Sequence, residues 1–165
     1  MKGVNPTGRG ELKALQAEIN FKLAAVTQLS EVIRKWTGKL TPQDPQEEVV
    51  TTIGFNLMRF YTGAEDILEQ IVKLLDDYRP TGPDWHVKLL LLATAATEDR
   101  PAVIRSETYE LLNELRGFRH IAQKAYLTPL NWEQMQRLTD DAVLLLKLFR
   151  EDLTAFNGFL AKINE

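Results

Sequence analysis

A chain of 165 residues, 44% hydrophobic and 26% charged, is long enough to bury one core without staples and short enough for a single domain. The absence of cysteine excludes disulfides, thiol catalysis and thiolate metal sites. A net charge of −3 provides no global field toward nucleic acid, so any such role must rest on a local patch.

Residues 1–10, with three glycines and a proline, read as a flexible lead-in to a domain spanning 11–165. From Glu11 the period is helical: Leu12, Leu15, Ile19, Leu23, Val26, Leu29 and Ile33 step by threes and fours toward Gly38, a plausible C′ residue. Asp44 and Pro45 are placed to start a second, long helix, with Glu47 and Glu48 in its first turn. Its seam runs Val50, Ile53, Leu57, Phe60, Ala64, Ile67, Ile71 and Leu74. Gly54 and Gly63 interrupt it, each costing about 1 kcal/mol against alanine unless a neighbouring helix packs closely.

Arg79-Pro80-Thr81-Gly82-Pro83 breaks the pattern, and Asp84 is placed to cap a short apolar helix from Trp85 to about Thr97. Ser106 opens a fourth helix expected to end near Tyr126, because Pro129 cannot continue it. Asn131 is placed to cap the last helix, with the stripe Met135, Leu138, Ala142, Leu145, Phe149, Leu153, Phe156, Leu160 and Ile163. No window alternates at period two. The expectation is all-α: an antiparallel bundle of four long helices plus one short helix.

At about 100° per residue, the fourth helix gathers Arg116, Arg119, His120, Gln123 and Lys124 on one arc, with Tyr126 near the azimuth of Arg119. Guanidinium and ammonium groups donate in the geometry that phosphoryl oxygens accept, so phosphate is the expected guest. His120, inside the arc, is a candidate proton carrier. His86 reads as a packing or capping residue, and Tyr61 and Tyr109 as edge-of-core aromatics. The acidic pairs Glu65-Asp66, Asp76-Asp77, Glu98-Asp99 and Asp140-Asp141 read as solvated helix faces or ends. Two histidines fit no three-histidine or His-Glu-x-x-His metal site, so no metal or cofactor is expected. The longest apolar run, Leu89–Ala96 with one threonine, is far below the ~20 residues that span a bilayer. With no signal-like apolar run at the start, a cytoplasmic protein without membrane association is expected.

The order and spacing of several fragments resemble the HepT-like branch of the HEPN superfamily. These are Phe60-Tyr61-Thr62-Gly63-Ala64-Glu65-Asp66-Ile67, Gly82-Pro83-Asp84-Trp85-His86, Leu115-Arg116-Gly117-Phe118-Arg119-His120, Ala125-Tyr126 and Leu130-Asn131-Trp132-Glu133. The resemblance implies a small all-helical toxin of a toxin–antitoxin pair, acting as a homodimer on RNA without a metal. A minimal nucleotidyltransferase antitoxin is the partner it implies.

The family motif is an arginine, four to six spacers, a histidine, one residue and a tyrosine. The arginine holds the scissile phosphate, the histidine moves protons, and the tyrosine accepts adenylylation in some pairs. Carried over, Arg119 takes the arginine's role, with Arg116 and Lys124 as further phosphate contacts, and Tyr126 becomes the adenylylation acceptor. Lys124 stands where the motif has histidine, and an amine with an ordinary pKa near 10.4 grips phosphate but is a poor general base. Proton transfer is therefore open between His120 and an activated Lys124. A member without catalysis, acting as a non-enzymatic interaction partner of the nucleotidyltransferase, is the alternative.

Overall fold

A computed structural model describes residues 8–39, 41, 47–124 and 132–165. They form five helices: α1 (Arg9–Thr37), α2 (Glu47–Leu75), α3 (Trp85–Thr94), α4 (Ser106–Gln123) and α5 (Trp132–Ile163). Four are long, one is short, and no strand occurs among the described residues. The expected caps at Asp44 and Asn131, and Tyr126, lie outside the described residues.

Cross-helix contacts fix the directions. Gln70 of α2 bonds Glu18 of α1, and Val26 packs against Gly63, so these two helices run antiparallel. Arg9 donates to the carbonyls of Asn164 and Glu165 at 2.7 and 2.8 Å, and Asn157 reaches Asn20, which sets α5 antiparallel to α1. Arg105 and Thr108 bond Asp152 while Glu114 pairs with Arg137, so α4 runs antiparallel to α5. The Arg9 contacts also account for α1 starting two residues before Glu11, since they hold its first turn against the end of α5.

The expected stripes of α1 and α5 are mostly buried, except that Leu23 and Leu29 of α1 are half-buried and Ile163 at the end of α5 is exposed. α2 is buried on a broader sector than its expected seam. Val49, Tyr61, Leu68 and Val72 are buried as well, because α2 packs against all four other helices. A Cβ on Gly63 would lie 2.7 Å from Val26 Cγ2, so the close α1–α2 approach requires a residue without a side chain there.

Three expected details differ. α3 ends at Thr94 rather than near Thr97, because the following segment folds back: Val103 and Ile104 both donate to the Ala93 carbonyl, at 2.8 and 3.1 Å. Asp84 occupies the N-cap position of α3, but its carboxylate pairs with Lys88 at 3.1 Å instead of capping the backbone. Gly38 follows α1 with φ −62°, so its freedom to adopt a left-handed conformation is not used.

Asp76 is not a solvated helix end. Its carboxylate takes two hydrogen bonds from the fully buried Arg100, at 2.7 and 2.6 Å. Arg100 also donates to the carbonyls of Leu92, Ala95 and Pro101, at and just beyond the end of α3. One guanidinium thus ties the end of α2 to the end of α3. Between the two helices, Gly82 has φ +95°, a left-handed conformation that glycine adopts without strain, and its carbonyl accepts from Trp85 N–H. That turn brings the first residues of α3 back onto α2.

Candidate functional site

The fold places a carboxylate where the sequence suggests a solvated one. Glu65 lies midway along α2, and only 6% of its side chain is accessible. A buried carboxylate is stable only if donors and counter-charges surround it. Three side chains, from α2 itself, α3 and α4, provide them. Tyr61, one turn earlier on α2, donates its hydroxyl to Oε2 at 2.6 Å. His86, the second residue of α3, places Nδ1 2.6 Å from the same oxygen. Arg119 of α4 approaches Oε1 at 3.8 Å through one guanidinium nitrogen.

The network explains the local chemistry. Tyr61 is fully buried rather than at the edge of the core. Its phenol is held well above its ordinary range, first by burial, then by its bond to Glu65 and that carboxylate's charge, with Arg116 and Arg119 opposing. It therefore stays protonated and remains a donor. Since a carboxylate ion only accepts, Nδ1 of His86 must carry the hydrogen in this bond, which leaves Nε2 as the acceptor in a neutral ring. The imidazole stacks on Trp85 with ring centroids 3.7 Å apart, and 27% of its side chain is accessible. It is fixed at Nδ1 and remains partly accessible.

The residues of the cationic arc divide. Arg116 and Arg119 are half-buried and lie near Tyr61, whose phenol both influence; Arg116 also bonds Asn113 at 3.0 Å. His120 and Lys124 are exposed, and neither joins the Glu65 network among the described residues. Lys124 is the C-cap of α4. The helical wheel carries no information about the carboxylate that Arg119 contacts.

His86 and Glu65 are the residues that sequence reasoning passes over, because their partnership spans 21 positions. A signal was available. Glu65 sits four residues after Tyr61 and beside Ala64 and Leu68, within an apolar sector where a charge demands a partner. No group of three His, Asp or Glu side chains among the described residues is arranged to hold a metal ion. No helix among them is long and apolar enough to cross a membrane.

Arg116, Arg119, Glu65 and His86 all fall within residues 52–160, the stretch matched by a family model described as "HepT-like protein". The match takes in well over half of the chain. No curated protein and no solved structure matches.

Proposed function

Since the chain belongs to the HepT-like family, we propose that it is the RNA-directed toxin component of a toxin–antitoxin pair, binding RNA and cleaving it without a metal. The observation that carries this reading is the pair of half-buried arginines, Arg116 and Arg119, beside the Glu65 network. A guanidinium presents a planar fork of donors that suits a bridging phosphate. Among the described residues the contact of Arg119 to Glu65 is a long one, at 3.8 Å, which suits a guanidinium that also donates to a ligand. Lys124 adds charge at the exposed end of the same helix.

In this reading two copies associate through the α4 region, where the exposed Ile121 lies among Arg119, His120 and Lys124, and their cationic ends line one groove. The partner protein is a minimal nucleotidyltransferase, with Tyr126 as adenylyl acceptor, and the complex is cytoplasmic. Incubating purified protein with single-stranded RNA in EDTA tests the reading. Cleavage that Arg119→Ala abolishes supports it. Absence of both binding and cleavage across the pH range ends it.

One observation favours a second reading. Lys124 occupies the histidine position of the family motif, and it is exposed rather than desolvated, so it lacks an environment that would turn an amine into a base. A non-catalytic partner of the nucleotidyltransferase would look the same there. If Lys124→His creates nuclease activity that the native chain lacks, this second reading stands.

A further inference from the structure

The missing motif histidine raises the question of which group moves the proton. We propose that His86, held by the Glu65 carboxylate, takes the proton from the ribose 2′-hydroxyl while Arg119 holds the adjacent phosphate. The proposal rests on the RNA-cleaving reading above and supplies its chemistry from α3 rather than from the end of α4.

Three observations converge on it. First, Nδ1 is bonded to a buried carboxylate at 2.6 Å, which fixes the ring's orientation and its tautomer and leaves Nε2 as the basic nitrogen. A carboxylate that orients an imidazole and stabilises the imidazolium is a recurrent device of acid–base catalysis. Second, the same carboxylate contacts Arg119, so the imidazole and the guanidinium are held by the two oxygens of one group. A phosphate gripped by Arg119 would therefore sit beside the ring that must act on the neighbouring hydroxyl. Third, the imidazole remains partly accessible, whereas Tyr61 and Glu65 beneath it are buried. Solely structural support for α3 would be met equally well by apolar packing, because a buried ionic group adds little net stability over a hydrophobic replacement.

The step balances without a cofactor. The 2′-oxygen forms a bond to phosphorus as Nε2 of His86 takes its proton, and the bond from phosphorus to the 5′-oxygen breaks. The leaving oxygen takes a proton from water, and the imidazolium returns its own to solvent. The products are a 2′,3′-cyclic phosphate and a 5′-hydroxyl end. His86 is the catalytic residue here, Glu65 a positioning residue, and Tyr61 holds Glu65 in turn.

The full chain and its His86→Ala variant are assayed in EDTA with a labelled single-stranded RNA, for binding by fluorescence anisotropy and for cleavage on gels. His86→Asn, whose amide can still donate to Glu65, serves as a second variant, and circular dichroism confirms that both fold. The expected result is binding close to that of the native chain, cleavage lowered by about 10²–10⁴-fold in both variants, and partial recovery of His86→Ala by free imidazole. A merely structural histidine would not respond to imidazole. Glu65→Gln is expected to lower kcat while a 2′-deoxy RNA is still bound and left intact by every form. Native-level cleavage by the His86 variants, or cleavage that depends on His120 instead, overturns the proposal. A native chain that binds RNA but never cleaves it also overturns it while leaving the RNA-binding reading in place. A native chain that does not bind RNA removes that reading itself.

Discussion

The Asp76–Arg100 pair allows a stability change to be worked out in advance. Asp76→Asn keeps the shape of the side chain and removes its charge. Arg100, with no accessible side-chain surface, then loses its counter-ion and one of the two short bonds, of 2.7 and 2.6 Å, because the amide nitrogen of asparagine cannot accept. Breaking a buried ion pair from one side costs about 3–5 kcal/mol, because an uncompensated charge stays in the interior. The carbonyls of Leu92, Ala95 and Pro101 still accept from the guanidinium, at 2.9–3.2 Å, which places the loss near the lower bound, about 3 kcal/mol. For a chain of this length that corresponds to a fall in Tm of roughly 6–12 °C. Urea denaturation followed by far-UV circular dichroism measures it. The double variant Asp76→Leu/Arg100→Met should recover most of the loss, since it leaves no charge behind. A loss below about 1 kcal/mol in Asp76→Asn would refute the reasoning, because a guanidinium truly cut off from water could not lose its partner so cheaply.

Two further predictions follow from the packing of α2. Gly63→Ala should gain about 1 kcal/mol of helix propensity but force its methyl to within 2.7 Å of Val26 Cγ2, an overpacking that costs roughly 1–3 kcal/mol. The net effect is neutral to destabilising in the native background and turns stabilising in a Val26→Ala background, as denaturation midpoints of the four forms will tell. Tyr61 gives a pH dependence: its phenol is raised in the folded state by burial and by Glu65. Its contribution to stability is thus complete below the unfolded value near 10 and is lost above it, at about 1.4 kcal/mol per pH unit. Alkaline unfolding curves should flatten in Tyr61→Phe, and a phenolate signal from Tyr61 that appears while the chain is still folded would count against this.

The bundle was largely legible because α1 and α5 each bury one face, so Leu12 to Ile33 and Met135 to Leu160 stand out against polar neighbours. α2 was only half legible. Its second buried face, with Val49, Leu68 and Val72, belongs to a helix surrounded by others, where the contrast that marks a seam fades. Periodicity suggests a cationic arc on α4, but not the division into half-buried Arg116 and Arg119 and exposed His120 and Lys124. Whether Arg119 turns inward depends on Glu65, fifty-four positions earlier (119 − 65), and helical period speaks only of neighbours within a few turns. The same limit hid Asp76 and Arg100, whose pairing crosses a chain reversal.

The leucines of α3 follow one another without a break from Leu89 to Leu92, and Leu91 is exposed while Leu89 and Leu90 are buried. Four like side chains in a row would fill the same space nearly as well with the cylinder turned by one residue, so oiliness alone cannot select its rotation. The choice falls to the two polar latches at its ends, the imidazole on Glu65 and the guanidinium on Asp76. A short helix that grease would leave free to spin is thereby keyed at a single angle, the one that seats its imidazole on the carboxylate Arg119 also contacts.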